Sequence, residues 1–220
     1  MNTNKKTARI VGVLNIIVMV SAIISGDVFL GSINDPDYLT AVSANENQVL
    51  IGVFLMLTLV ASVVAIPIMM FPILRKHSER LAVGYVGARI FEGFADVVIY
   101  GISPLLLLTL SRDFVNAGAP DASYFQTSGA LLLAVYDWSN VLENFPYALG
   151  GLIFNYLWYK SKLIPRWLSV WGLIGATLML ATGLLRMFDP SLLYLVFLIF
   201  VQEMVLAVWL IAKGFNSSTS

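Results

Sequence analysis

Long apolar segments separated by short polar ones dominate this chain of 220 residues. About 20 consecutive apolar residues suffice for a helix to cross a bilayer, and several segments reach that length. The pattern predicts about six membrane helices in an all-α bundle. Their approximate ranges are Ala8–Phe29, Asn47–Leu74, Arg80–Leu110, Tyr124–Tyr159, Pro165–Met187 and Pro190–Lys213. The basic N-terminus followed by an apolar run is also compatible with a signal peptide. A first spanning helix is preferred because further spans follow and no clear small-residue cleavage site appears.

Two of the predicted helices depart from a simple span. Pro67 and Pro72 are expected to bend the second helix. The fourth is too long for one span, so its first turns are expected to stand outside the bilayer. Each predicted outer loop pairs a proline with an acid, and helices one, three and five open with a basic residue and then glycine. This allows a weak repeat of three helical hairpins. Helix-start chemistry alone would give the same pattern, so both interpretations stand.

Lysine and arginine residues fall mainly on one side of this arrangement. That side carries Lys5, Lys6, Arg9, Arg75, Lys76, Arg80, Lys160, Lys162, Arg166 and Lys213. Only Arg112 and Arg186 fall on the other side. Because cytoplasmic loops of membrane proteins are enriched in these residues, both termini are predicted to be cytoplasmic. A single transmembrane domain is expected over residues 1–215, followed by a short cytoplasmic polar tail at residues 216–220.

Composition agrees with a membrane protein and narrows its chemistry. The chain is 59% hydrophobic and only 12% charged, against about 25% charged in soluble domains. Zero net charge with lysines and arginines in short clusters argues against nucleic acid as a partner. Without cysteine and with one histidine, the chain cannot form a thiolate zinc site or a histidine-rich zinc or haem site. No cofactor and no metal site is predicted. The lipid bilayer is the expected partner, and the oligomeric state, including a homo-oligomer, stays open.

Seven ionisable side chains occupy or adjoin the apolar segments: Arg89, Glu92, Asp96, Asp137, Glu143, Arg186 and Glu203. A charge at the membrane centre costs a few kcal/mol, so such residues usually face a bundle interior and mark a functional site. Arg89, Glu92 and Asp96 share one stripe of the third helix, continued by Tyr100 and Ser103. The i, i+3 spacing lets Glu92 reach Arg89. Two acids against one base leave surplus negative charge unless a proton or cation neutralises it.

Other helices add polar residues at similar depths. The fourth carries a stripe of Asp137, Asn140, Asn144, Tyr147, Gly151 and Asn155, with Glu143 at its edge. The expected ligand-binding residues are Asn15, Arg89, Glu92, Asp96, Asn140, Glu143, Asn144, Tyr147, Gln202 and Glu203. The asparagines also fit plain interhelical hydrogen bonds, worth about 0.6 kcal/mol each. Arg89 and Glu92 also fit a purely structural ion pair, so these alternatives remain open.

Three motifs spread over the chain carry a family resemblance. They are Leu81–Gly93, Pro165–Gly175 and Gln202–Phe215, and the loop Gly118–Asp121 fits with them. Together they resemble DUF4386, a bacterial membrane family classified as a domain of unknown function. The resemblance implies a multi-span bacterial inner-membrane protein and supplies no activity, substrate or catalytic residue. Arg89, Glu92, Gln202 and Glu203 belong to these motifs as well as to the predicted polar interior.

Three function classes are compatible with this pattern. The first is a carrier or channel-like protein that binds a proton, a cation or a small polar solute. The second is a regulatory membrane protein that senses a hydrophobic ligand or binds a partner subunit. The third is an intramembrane enzyme using Glu92 or Asp96 with Glu203 as acid and base. No hydrolase elbow, phosphate-binding loop or zinc-protease motif is present, so the enzyme ranks last. The sequence favours binding or translocation of a small ion or polar solute.

Overall fold

The chain is all-helical over the residues that the computed structural model describes, which are 3–33, 35–118, 122–189 and 197–216. The helices are α1 (Thr3–Ile33), α2 (Tyr38–Ala44), α3 (Glu46–Leu74), α4 (Glu79–Asp96), α5 (Ser103–Asn116), α6 (Ala122–Ser161), α7 (Arg166–Arg186) and α8 (Phe197–Ala212). A π-helical segment, Val97–Ile102, joins α4 to α5. Most of the predicted polar tail, residues 217–220, lies outside the described ranges.

Within the described ranges, four helical segments are long and apolar enough to cross a membrane: Asn4–Ile33, Glu46–Leu74, Glu79–Asn116 and Arg166–Arg186. They correspond to the first, second, third and fifth predicted helices, and they indicate a membrane protein. The 40 residues of α6 span about 60 Å, so the fourth helix is longer than a single span, as predicted. The 16 residues of α8 are apolar but short. Residues 190–196, where the sixth predicted helix begins, lie outside the described ranges.

The third predicted helix is continuous, but its register differs from the prediction. The Ser103 backbone N–H donates to the Val98 carbonyl, five residues earlier, and its hydroxyl donates to the same carbonyl at 2.9 Å. This is the hydrogen-bond spacing of a π-helix, which adds a residue to the turn. The predicted stripe assumed regular α-helical spacing through Tyr100 and Ser103. The regular spacing assumed beyond Asp96 is wrong, because the π-helical segment begins directly after that residue.

The chain divides into two compact units. The first contains Met1–Met19, Ala61–Gly93 and Val141–Ser220, and the second contains Val20–Val60 and Phe94–Asn140. Buried side chains from six helical segments fill the core of the first unit, including Val11, Met70, Tyr85, Trp158, Leu168 and Leu210. A smaller core in the second unit contains Leu39, Val42, Val49, Ile99, Leu107, Leu108 and Tyr136.

Contacts between helix termini fix one end of the first unit. The Asn216 side chain donates from Nδ2 to the Lys162 carbonyl at 2.8 Å. Its backbone N–H donates to the Leu163 carbonyl at 2.8 Å. Gly214 has a φ of 73°, and a β-carbon on it would lie 3.6 Å from Lys5 Cγ. The start of α1, the α6–α7 loop and the end of α8 therefore lie at the same end of this unit.

The short helix α2 covers the core of the second unit. Its Leu39 and Val42 side chains are buried, and the helix packs along α5. At the start of α3, Glu46 accepts a hydrogen bond from Arg112 Nε of α5 at 2.9 Å. Arg112 also bonds the second carboxylate oxygen through Nη2. Both side chains remain about two-fifths exposed, at 44% and 40%, so this ion pair is a surface contact.

Candidate functional site

A buried ion pair on α4 forms the base of the polar interior in the first unit. Arg89 Nη1 donates to Glu92 Oε2 at 2.8 Å. The two residues are only 6% and 2% exposed. The two residues are three positions apart on the helix, so their Cβ atoms lie on one face and the side chains can meet. The contact predicted from the i, i+3 spacing is present.

Two further helices bring ionisable groups to the same guanidinium. The carboxylate of Glu203, from α8, interacts electrostatically with Arg89. Tyr147, from α6, also interacts with the Glu203 carboxylate. Arg89 Cζ lies 5.7 Å from the centroid of the Tyr147 ring. One guanidinium therefore faces two carboxylates and a phenol in an interior built from apolar helices.

A small cavity lies beside these groups. Its volume is about 20 Å³, counted over the positions that the centre of a water molecule can take. The lining residues are Asn15, Tyr85, Arg89, Gly151, Phe154, Asn155, Gln202, Glu203 and Leu206. A space of this size holds a single water molecule or a small ion.

Three buried polar atoms on the cavity-lining residues lack a hydrogen-bond partner among the described residues. They are Asn15 Nδ2, Arg89 Nε and Asn155 Oδ1. Buried polar atoms in native proteins are nearly always satisfied, so each such group needs an explanation such as a water or an ion. The three residues come from α1, α4 and α6 but line one cavity.

Close packing of α6, α7 and α8 holds the cavity wall in place. Asn155 Nδ2 donates to the Gly151 carbonyl at 2.9 Å. Gln202 Nε2 donates across to the Leu168 carbonyl of α7 at 3.2 Å. A β-carbon on Gly175 would lie 2.9 Å from Ile199 Cβ. The absence of a side chain at Gly175 therefore lets α8 approach α7 and places Gln202 and Glu203 at the cavity.

A family model described as Domain of unknown function (DUF4386) matches residues 10–214. The chain belongs to the DUF4386 family. The match covers nearly the whole chain and confirms the resemblance seen in the sequence motifs. Neither the curated proteins nor the solved structures gave a match. The chemistry open to this DUF4386 protein follows from its own side chains.

The DUF4386 fold brings together six of the ten residues predicted to bind a ligand. Asn15, Arg89, Gln202 and Glu203 line the cavity, while Glu92 and Tyr147 contact or face Arg89. As ligand-binding residues they remain predictions. Their convergence joins the first, third, fourth and sixth predicted helices.

The other four predicted residues do not line this cavity. Asn144 is buried, and its Nδ2 donates to the Val141 carbonyl of its own helix at 3.0 Å. Glu143 is half-buried on the same helix. Asp96 and Asn140 belong to the second unit, where Asp96 is buried and Asn140 is half-buried.

Sequence reasoning missed two aromatic residues at the cavity. The rings of Tyr85 and Phe154 stack with centroids 4.5 Å apart and planes within 3°. Tyr85 lies four residues before Arg89, so helical periodicity places it on the stripe that selected Glu92. Phe154 carries no polar signal, and only its neighbour Asn155 was part of a recognised stripe. Across the described part of the DUF4386 chain, no group of three or more histidine, aspartate or glutamate residues is arranged to hold a metal ion.

Proposed function

We propose that this DUF4386 chain is an integral membrane protein that binds or translocates a small ion or small polar solute at the cavity beside Arg89. The observation that carries this proposal is the second carboxylate facing one guanidinium. A structural ion pair accounts for the charges of Arg89 and Glu92, but it does not neutralise the negative charge of Glu203. Surplus negative charge in a low-dielectric interior is costly unless a proton or a cation neutralises it.

The size of the cavity favours an ion over a larger solute. About 20 Å³ of space for water centres admits one water or a small ion. Typical binding sites for organic ligands are several hundred Å³ in volume. A polar organic solute would need the walls formed by Tyr85, Phe154 and Leu206 to move apart. The smallest solutes are therefore the first to test.

The proposed topology has six spanning helices in one domain of residues 1–215, in a bacterial inner membrane with cytoplasmic termini. α6 and α8 would be the spans added to the four apolar segments. The approach of the Gly214 backbone to Lys5 and the hydrogen bond from Asn216 to Lys162 support termini on one side. The excess of lysine and arginine at that end supports its cytoplasmic placement.

Single-cysteine labelling tests the topology without background, because the natural chain has no cysteine. The exposed positions Lys6, Lys213 and Asp113 are each changed to cysteine in separate variants. We expect Lys6→Cys and Lys213→Cys to resist a membrane-impermeant maleimide in intact cells. Asp113→Cys should be labelled. Labelling of Lys6→Cys but not Lys213→Cys would show an odd number of spans.

Flux into proteoliposomes tests the activity. The purified protein is reconstituted, and gradients of protons, sodium and potassium are imposed in turn. We expect the natural chain to move at least one of these ions and Glu203→Gln to lose that movement. Asp137→Asn is the matched control, because it removes an exposed carboxylate from α6. This control should behave like the natural chain.

Three outcomes would count against the proposal or against the assigned site. No flux and no ion binding by the natural chain across the panel would contradict it. Retention of a hydrophobic ligand through gentle extraction, seen by native mass spectrometry together with absent flux, would favour the sensing alternative. Equal loss of flux in Glu203→Gln and Asp137→Asn would remove Glu203 from the site.

A further inference from the structure

We infer that the ion bound in the first unit is the proton, and that the cavity holds one water molecule through which the proton reaches Glu203. This inference rests on the proposed function and specifies its ion. It follows from the chemical type of the polar atoms at the cavity, which discriminates between a water molecule and a metal cation.

Two of the three unpartnered atoms are hydrogen-bond donors. Asn15 Nδ2 and Arg89 Nε each carry N–H groups and have no lone pair to offer. A sodium, potassium or magnesium ion binds through oxygen lone pairs and is repelled by such donors. An oxygen atom with lone pairs accepts from both. The donor set therefore favours water over a metal cation at this position.

The third atom can accept one of the two hydrogen bonds that a water molecule donates. Asn155 Oδ1 is an acceptor without a partner in the protein. A water that accepts from Asn15 and Arg89 can donate one hydrogen to Asn155. Its second hydrogen is left for a carboxylate oxygen such as that of Glu203, which lines the same cavity. Buried waters typically make two to four hydrogen bonds, so this arrangement is an ordinary one.

Charge balance then points to a proton on the acidic side of the cavity. The ionisable groups that face Arg89 are Tyr85 and Glu92 from α4, Tyr147 from α6 and Glu203 from α8. With both acids ionised, the guanidinium and the two carboxylates carry one net negative charge. Protonation of Glu203 makes this group neutral without placing a metal ion against N–H donors.

The proposed transfer is a simple exchange of one O–H bond for another. An excess proton arriving at the cavity binds the water lone pair that accepts from Asn15 Nδ2, so that hydrogen bond breaks and the water becomes hydronium. One O–H bond of the hydronium breaks as an O–H bond forms on the Glu203 carboxylate. The products are a neutral carboxylic acid and a neutral water, which has kept its bond to Arg89 and accepts from Asn15 again. Tyr147, which interacts with Glu203, lies beside the receiving carboxylate.

A proton-flux assay in different salts tests the identity of the ion. Proteoliposomes containing a pH-sensitive dye receive a pH step in choline, sodium or potassium chloride. We expect the same rate of internal pH change in all three salts. Asn15→Leu replaces the amide that donates to the proposed water with an apolar group, and this variant should lose the flux. Asn15→Ser keeps an O–H donor and should retain it. Thermal unfolding of both variants establishes that they fold.

A density map of the full chain gives a second, independent readout. At a resolution that shows ordered waters, we expect one peak within hydrogen-bond distance of Asn15 Nδ2 and Arg89 Nε. The peak should be unchanged when rubidium replaces sodium and bromide replaces chloride. A peak that grows heavier with rubidium or bromide would identify an ion and overturn the inference.

The outcomes separate this inference from the proposed function. Proton movement that requires sodium or potassium would leave the proposed function standing and refute the proton-only site. An unchanged flux in Asn15→Leu would refute the role of the water. Absence of any ion movement by the natural chain would refute the proposed function. In that case the density map alone decides whether water occupies the cavity.

Discussion

The side-chain oxygen of Asn155 lies 2.0 Å from the position that a β-carbon on Gly172 would occupy. The amide of Asn155 therefore rests directly on the backbone of α7, at a point where only glycine leaves room. Because Asn155 also lines the cavity, the contact links helix packing to the geometry of the proposed site. The small residue Gly172 on α7 leaves the space that the polar side chain of Asn155 occupies.

The first prediction is that Gly172→Ala destabilises the protein. The added methyl group must displace Asn155, and overpacking of this kind typically costs about 1–3 kcal/mol. We expect a lower thermal midpoint in detergent than for the natural chain. Gly87→Ala is the matched control, since no atom lies within 4 Å of its β-carbon position. Alanine favours a helix by about 1 kcal/mol over glycine, so this control should be neutral or stabilising. Equal effects in the two variants would contradict a tight Asn155–Gly172 contact.

These glycines also show how far the sequence determines the fold. The chain contains Gly84-x-x-Gly87-Ala88 and Gly172-x-x-Gly175-Ala176, and both motifs predict small faces for close helix packing. Gly172 and Gly175 indeed approach Asn155 and Ile199, whereas a β-carbon on Gly87 would meet no atom within 4 Å. Periodicity identifies which residues share a face. It carries no information on which helix, if any, covers that face.

The same distinction applies to the candidate site. Contact between Arg89 and Glu92 follows from local helix geometry, so the sequence was sufficient to predict it. The interaction between Tyr147 and Glu203 joins residues 56 positions apart, from two helices whose packing order the sequence leaves open. The stripe beyond Asp96 was predicted on regular helical spacing, and no sequence signal marked the π-helical segment that follows.

The second prediction concerns the balance of charge around Arg89. Removing one partner of a buried ion pair typically costs about 3–5 kcal/mol, because it leaves an uncompensated charge. Arg89→Met should cost more than Glu92→Gln, since it removes the guanidinium that interacts with both Glu92 and Glu203. The double variant should recover part of the loss. Unfolding free energies of the four proteins in one detergent give the coupling energy. Additive effects would show that the two side chains do not depend on each other.

The third prediction contrasts this pair with the exposed one. Arg112 and Glu46 are about two-fifths exposed, and surface ion pairs contribute little to stability. Arg112→Ala and Glu46→Ala should therefore each change stability little, and their coupling should shrink further in high salt. The same unfolding measurement at low and high salt checks this. A coupling as large as that of Arg89 with Glu92 would mean that the pair is shielded from solvent in the membrane.

The fourth prediction uses His77, the sole histidine of the chain, in the short connection between α3 and α4. Partial burial, and then the positive charges of Lys160 and Lys76, lower the pKa of His77 below its ordinary value of 6.5. The folded protein therefore binds a proton here less readily than the unfolded chain does. The contribution of His77 to stability is fully present above pH 6.5. It is lost as the pH decreases from there toward the lowered pKa.

Because His77 is the only imidazole, its titration can be followed by nuclear magnetic resonance without assignment ambiguity. Lys160→Gln removes the larger of the two charge effects and should raise the pKa of His77 toward its ordinary value. Lys6→Gln is the control, because Lys6 is exposed and does not act on this group. His77→Gln should remove the fall in stability below pH 6.5 that this imidazole causes. A pKa unchanged in Lys160→Gln would mean that the α3–α4 connection and the end of α6 lie farther apart in the bilayer.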